Sequence, residues 1–121
     1  MGKNILAIDD DENMLDFYKA ALSEFGDVRT ATNLQEARKH LAGLDLIVLD
    51  FHLEKDPEKF QDIVPELKRT APILLCSGVQ TPEVEGLGIA LGVAGYWNKG
   101  TDHEKLRSLV KSTLSSGKSV S

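Results

Sequence analysis

The sequence predicts an α/β fold in which helices cover both faces of a doubly wound, five-stranded parallel sheet. Short apolar runs alternate with amphipathic stretches along nearly the whole chain, which is the pattern of strand–helix units joined by right-handed crossovers. Three runs, at 5–8, 46–49 and 73–76, contain only apolar residues, as expected of strands that are buried on both faces. Because these runs suit the centre of the sheet, the predicted strand order is 2-1-3-4-5.

The remaining two strands are weaker in the sequence. Residues 28–31 predict the second strand, and Tyr96 with Trp97 predicts a short fifth strand at most. We expect Trp97 to pack on the surface of this edge strand. Cys76, at the end of the fourth strand, is interpreted as inert packing.

The first two helices are predicted from apolar residues at helical spacing and from signals at their ends. The first helix contains an apolar stripe between 14 and 25, and Gly26 closes it. In the second helix, Asn33 and Glu36 form a candidate capping box, and the stripe runs up to Gly43.

The last three helices carry less regular signals. Pro65 lies inside the stripe of the third helix and is expected to kink or divide it. Gly86 and Gly88 weaken the fourth helix, each by up to about 1 kcal/mol relative to alanine. Thr101 with Glu104 predicts a capping box at the start of the fifth helix.

Length, composition and charge exclude several classes of protein. A chain of 121 residues suits one domain, which we place at 1–114, with a polar tail or linker at 115–121. The net charge of −5 disfavours non-specific nucleic-acid binding. One cysteine and three histidines can form neither an internal disulfide nor a structural zinc site. No apolar stretch approaches the roughly 20 residues of a membrane span, and the N-terminus lacks the apolar region of a signal peptide, so we expect a cytoplasmic protein.

Polar residues follow the stronger strands, at the edge where parallel sheets bind their ligands. Asp9 and Asp10 follow the first strand, Asp50 the third, Ser77 the fourth and Lys99 the fifth. Taken singly, most have ordinary explanations: the aspartates could cap the first helix, Ser77 could serve a turn, and Lys99 could be a solvated surface charge. Asp50 is different, because a carboxylate at the end of an apolar strand gains nothing from packing.

Together these residues supply the groups that phosphoryl and Mg²⁺ chemistry requires. Adjacent carboxylates bind a hard divalent cation through oxygen, and the cation offsets their mutual repulsion. A carboxylate that attacks phosphorus needs a metal and a further cation to neutralise the charge on the equatorial oxygens. The sequence therefore predicts a phosphoryl site that binds a divalent cation.

These residues and their order resemble the receiver domain of bacterial two-component response regulators, over nearly the whole chain. The matching segments are ILAIDDDEN at 5–13, LIVLDFHL at 46–53, ILLCSG at 73–78 and ALGVAGYWNKG at 90–100. The resemblance implies a flavodoxin-like fold and a signalling phosphoprotein of a phosphorelay, which catalyses only its own phosphorylation and dephosphorylation. The chain departs from the family pattern at Gly100, where the family usually has proline after the lysine.

The resemblance also implies a role for each site residue. Asp50 would accept a phosphoryl group from a phosphohistidine of a sensor histidine kinase or a phosphotransfer protein. Asp10, Asp50 and the main-chain carbonyl of His52 would bind Mg²⁺ directly, and Asp9 would help through water. Lys99 would pair with the phosphoryl oxygens or with Asp50.

The same resemblance implies a switch. Ser77 would hydrogen-bond the phosphoryl group, and Tyr96 would turn inward to follow it. The face formed by the fourth helix, the fifth strand and the fifth helix would then present a changed surface to a downstream effector, or to a second copy in a phosphorylation-dependent dimer. The sequence identifies neither the kinase nor the effector.

Three alternatives stay open at this point. Asp9-x-Asp11 after an apolar strand could begin a haloacid-dehalogenase-like phosphatase that uses Asp9 as its nucleophile. The fold class also hosts flavin and dinucleotide binders, although no G-x-G-x-x-G motif follows the first strand. The third alternative is a protein-interaction module of the same fold that is never phosphorylated.

Overall fold

The five predicted strands form one parallel sheet. The computed structural model describes residues 2–51, 60–78, 82–99 and 102–116. Every neighbouring pair of strands is parallel, so the predicted fold class and strand order are confirmed. The strands lie in the order β2-β1-β3-β4-β5, with the bounds β1 (Lys3–Ile8), β2 (Gly26–Ala31), β3 (Leu46–Asp50), β4 (Ile73–Ser77) and β5 (Gly95–Asn98).

Helices in the described ranges connect and cover the strands. They are α1 (Glu12–Leu22), α2 (Leu34–Ala37), α3 (Phe60–Lys68), α4 (Pro82–Leu91) and α5 (His103–Ser116). Short 3₁₀ turns at 23–25 and 38–40 follow α1 and α2. None of these described helices combines the length and the apolar character that crossing a membrane requires. Residues 117–121 lie outside the described part of the chain.

The sheet separates two apolar layers, because successive side chains of a strand point to opposite faces. The layer with α1 and α5 includes Ile5, Ala7 and Val48, and the layer with α2 and α3 includes Leu6 and Leu49. All five side chains are fully buried. β1 and β3 are therefore covered on both sides, as their apolar sequences predict, and this burial fixes the position of the residues that follow them.

The second helix begins where the sequence predicts, but the first ends earlier, at Leu22, and a 3₁₀ turn at 23–25 leads from it to Gly26. Gly26 closes the segment after α1 with a φ of 150°, and a Cβ atom there would overlap the carbonyl oxygen of Lys3 on the paired strand. Glycine therefore allows β1 and β2 to approach each other. Oδ1 of Asn33 accepts a hydrogen bond from the N–H of Glu36 (2.9 Å), which confirms one half of the capping box. The carboxylate of Glu36 pairs with Lys39 instead (3.2 Å).

The prediction that Trp97 packs on the surface of the edge strand is wrong. Trp97 is 2% exposed, because α1 and α5 cover its face of the edge strand. Its ring stacks on Phe17 with centroids 6.0 Å apart and lies edge-on to Tyr18 at 6.4 Å. The burial of one face of β5 depends on helices distant in sequence, so the local pattern could not reveal it.

Pro65 does not divide α3, and that part of the prediction is wrong. The helix runs unbroken from Phe60 to Lys68 with Pro65 inside it. A proline removes one N–H from the helical ladder, but Ile63, Val64 and Leu67 are each no more than 3% exposed against the sheet. Packing of this apolar stripe holds the helix together across the lost hydrogen bond.

The start of α5 is tied to the sheet by Asp102. Its Oδ1 atom accepts a hydrogen bond from the N–H of Glu104 (3.0 Å), and its main-chain oxygen accepts one from Nε1 of Trp97 (3.3 Å). Thr101, the predicted capping residue, lies outside the described residues. Asp102 supplies a side-chain cap at this helix start.

The two glycines of α4 should respond differently to alanine. Gly86 is exposed, and a Cβ atom there would meet nothing within 4 Å in the described structure. We therefore expect Gly86→Ala to raise the free energy of unfolding by up to about 1 kcal/mol, as measured by urea denaturation. Gly88→Ala is the matched control, because its Cβ atom would lie 3.2 Å from Val93 and 3.3 Å from Leu75. A larger gain at Gly88 than at Gly86 would contradict this account of the helix.

Candidate functional site

Three carboxylates meet where β1 and β3 end. One carboxylate oxygen from each of Asp9, Asp10 and Asp50 lies within 4.8 Å of the others. Asp9 and Asp50 are 0% and 4% exposed, and Asp10 is half-buried. The register explains this arrangement, because Ile8 and Leu49 are paired on neighbouring strands and an aspartate follows each of them.

The third aspartate of the acidic run, Asp11, caps a helix and does not join the cluster. Oδ1 of Asp11 accepts a hydrogen bond from the N–H of Asn13 (2.9 Å), so Asp11 is the N-cap of α1. The N–H of Asp11 donates to Oδ1 of Asp9 (2.9 Å). Helix capping therefore accounts for Asp11 and leaves Asp9 and Asp10 in the carboxylate cluster.

Lys99 joins two of the three carboxylates. Its ammonium donates to Oδ2 of Asp9 at 2.7 Å and to Oδ1 of Asp50 at 3.0 Å. The side chain is 18% exposed, so the interpretation of Lys99 as a solvated surface charge is wrong. Burial alone would lower the pKa of Lys99, but the hydrogen bonds to Asp9 and Asp50 outweigh it and raise the pKa.

The charges at this edge do not balance. Three carboxylates face one ammonium, and no ion pair of Asp10 is found among the described residues. Like charges this close repel each other in a site that is shielded from water. Hard divalent cations bind such oxygen clusters, so Asp9, Asp10 and Asp50 could hold a metal ion.

Ser77 and Tyr96 lie on the two strands beside the cluster. Ser77 is fully buried at the end of β4, and its main-chain oxygen accepts a hydrogen bond from the N–H of Lys99 (2.8 Å). Tyr96 is half-buried on β5, where it pairs with Leu75. His52, whose carbonyl was expected to bind metal, lies outside the described residues, as does Gly100.

Two residues behind the cluster were not assigned a functional role in the sequence analysis. Tyr18 of α1 is 1% exposed, and its hydroxyl has no oxygen or nitrogen partner among the described residues. Burial raises the pKa of Tyr18 most strongly, and the neighbouring Cys76 thiol, whose sulfur is a weak hydrogen-bond acceptor for the phenol, raises it further. Burial also raises the pKa of Cys76 to about 12, which suits an inert thiol. A tyrosine within an inward-facing apolar stripe was the available signal, because its hydroxyl must then be buried.

No protein-family model and no curated protein matches the sequence. Among solved structures, the BeF₃-activated receiver domain of DrrB from Thermotoga maritima is 24% identical with a TM-score of 0.85, over 95% of this chain and 99% of that one. A response regulator protein from Burkholderia pseudomallei, which contains a phosphorylated aspartic acid and a calcium ion, is 24% identical with a TM-score of 0.78, over 97% and 71%.

NtrX from Brucella abortus is a longer neighbour. It is 23% identical with a TM-score of 0.87, over 98% of this chain but only 28% of NtrX. The chain thus spans little more than a quarter of that protein. The structural neighbours are response regulator receiver domains, and the chain has their flavodoxin-like fold.

Proposed function

We propose that the chain is a phospho-accepting receiver domain, in which Asp50 takes a phosphoryl group from a phosphohistidine of a sensor histidine kinase or a phosphotransfer protein. The observation that carries this proposal is that Asp50 lies 3.0 Å from an ammonium and within 4.8 Å of two further carboxylates. The role is that of a cytoplasmic signalling protein, which acts chemically only on its own phosphoryl group.

The proposed transfer is a displacement at phosphorus. A carboxylate oxygen of Asp50 forms the new O–P bond as the N–P bond of the phosphohistidine breaks, and the electron pair leaves with the imidazole nitrogen. The charge that develops on the equatorial oxygens needs cations nearby. Lys99 supplies one, because its hydrogen bonds to the two aspartates keep its ammonium charged at neutral pH.

The second cation of the proposal is Mg²⁺. Asp10, Asp50 and the carbonyl of His52 would bind it directly, and Asp9 would help through water. Support comes from the clustered oxygens of the three aspartates and from the calcium ion in the Burkholderia pseudomallei neighbour, which also contains a phosphorylated aspartic acid. When bound, the metal would supply positive charge for the transferred phosphoryl group.

The proposed switch connects this site to a surface. Ser77 would hydrogen-bond the phosphoryl group and Tyr96 would turn inward after it, changing the face formed by α4, β5 and α5. Support comes from the hydrogen bond between the main chains of Ser77 and Lys99, which ties the end of β4 to the end of β5. A downstream effector, or a second copy of the chain, would bind the changed face.

The surroundings of Asp9 disfavour it as a nucleophile, and with it the phosphatase alternative. Oδ1 of Asp9 accepts the N–H of Asp11 and Oδ2 accepts the ammonium of Lys99. Both oxygens therefore have bonded partners, and the residue is 0% exposed.

Phosphorylation by a small donor tests the proposal. Incubation with acetyl phosphate and Mg²⁺ should add one acid-stable, base-labile phosphoryl group per chain, and Asp50→Asn should abolish it. Asp16→Asn, at an exposed position of α1, is the control and should be labelled like the wild type. Labelling that persists in Asp50→Asn, or that maps to Asp9, would show that another residue is the acceptor. Absence of labelling in the wild type would favour the module that is never phosphorylated.

Removing a charge from the cluster should stabilise the metal-free protein. Asp10→Asn relieves like-charge repulsion without breaking either Lys99 bond, so its melting temperature in chelator should rise. Wild-type protein should gain about 2.7 kcal/mol of stability at a hundredfold excess of Mg²⁺ over its dissociation constant, and Asp10→Asn should gain less. The control Asp16→Asn changes the net charge equally and should leave both quantities unchanged. A lower melting temperature for Asp10→Asn, with a full Mg²⁺ response, would contradict the shared acidic site.

A further inference from the structure

The hydroxyl of Tyr18 is a buried polar group with no oxygen or nitrogen partner in the described structure, and the Cys76 sulfur beside it is only a weak acceptor. Buried polar groups are satisfied in the great majority of cases, and one that is not destabilises the state in which it occurs. Phenylalanine would fill the same space without this cost. The hydroxyl therefore calls for an explanation that packing alone does not give.

The position of Tyr18 directs its hydroxyl toward the carboxylate cluster. Tyr18 lies seven residues after the N-cap Asp11, which is roughly 10 Å along α1. Side chains on a helix lean toward its N-terminus, and the N-terminus of α1 is at the site. The phenol accordingly lies beside Cys76, which pairs with Asp50 in the register of β3 and β4.

The residues around the phenol are linked to Lys99, the side chain that a bound cation or phosphoryl group would displace. The Lys99 ammonium lies between Asp9 and Asp50, and a bound cation or phosphoryl group would compete with it for their oxygens. Lys99 follows Trp97 by two residues, and the Trp97 ring lies edge-on to the Tyr18 ring. The main chain of Lys99 is also bonded to Ser77, the residue after Cys76.

Electrostatics links the phenol to the same carboxylates. Beyond burial and Cys76, the charges of Asp9 and then Asp50 raise the pKa of Tyr18. The phenol therefore stays neutral and can donate its proton in a hydrogen bond. Oδ2 of Asp9 would be available as an acceptor once Lys99 has left it.

We propose that Tyr18 is a positioning residue of the acceptor site, whose hydroxyl has only the weak Cys76 sulfur as a partner in the metal-free state and donates to the Asp9 carboxylate when the site is loaded. This inference rests on the proposed function. The poorly satisfied hydroxyl destabilises the resting state relative to the loaded one, so it increases the affinity of the site for its cation and phosphoryl group. Removing it should weaken loading by roughly tenfold, the ratio that one buried hydrogen bond produces.

The test compares wild type with Tyr18→Phe, using Mg²⁺ with BeF₃⁻ as the probe of the loaded state. In chelator, Tyr18→Phe should melt at a higher temperature than wild type. Under saturating Mg²⁺ and BeF₃⁻ this advantage should disappear or reverse, and the affinity for the probe, measured by Trp97 fluorescence, should fall roughly tenfold. Leu22→Ala, in the same apolar layer of α1, is the structural control and should lower both melting temperatures with the affinity unchanged.

Cys76→Ser gives a second, independent readout. A serine hydroxyl beside the phenol would offer it an oxygen partner in the resting state, so this variant should also reduce the affinity for Mg²⁺ and BeF₃⁻. An equal stabilisation of Tyr18→Phe in both states with unchanged affinity would overturn the proposal, as would a lower melting temperature of that variant in chelator. A wild-type protein that does not respond to Mg²⁺ and BeF₃⁻ would instead overturn the proposed function, and the state-dependent role of Tyr18 with it.

Discussion

The ammonium of Lys99, shared between Asp9 and Asp50, is the interaction on which the rest of the site depends. It joins the ends of three strands, because Asp9 follows β1, Asp50 ends β3 and Lys99 follows β5. The pair distances of 2.7 and 3.0 Å are those of charge-assisted hydrogen bonds. One ammonium cannot balance three carboxylates, so the site keeps a net negative charge that a further cation would neutralise.

The two apolar layers make this arrangement possible. β3 and residues 5–8 of β1 are buried on both faces, and a sheet packed in this way holds its strand ends in fixed positions. The cost of placing charges at those ends is met by their mutual pairing, since unpaired buried charges are strongly destabilising. A rigid scaffold with an unbalanced group of charges at one edge suits a protein whose surface responds to the charge state of that edge.

Much of the fold and of the site could be predicted from the sequence, because the apolar runs are unambiguous and the carboxyl ends of parallel strands lie at one edge of the sheet. Asp9, Asp50 and Lys99 each stand at the end of a predicted strand, so the sequence indicated that these groups would meet. The sequence could not show that Lys99 would bridge two aspartates, because that depends on side-chain reach across β3 and β4. The burial of Trp97 depends on how α1 and α5 cover the sheet, which has no local signal in β5. The apolar stripe of α1 indicated that Tyr18 would be buried, but it could not show which atoms would surround the hydroxyl.

The central claim is that Lys99 is a charged counter-ion held by two buried carboxylates, and the pKa of its ammonium tests this most directly. Because hydrogen bonds to Asp9 and Asp50 raise that pKa, the stability it contributes is complete below the ordinary lysine value of about 10.4 and is lost as the pH rises through the folded-state value. NMR titration of the metal-free protein should give a pKa for Lys99 above the ordinary lysine value, and Asp9→Asn should lower that pKa. A Lys99 that titrates at or below the ordinary value would contradict the account.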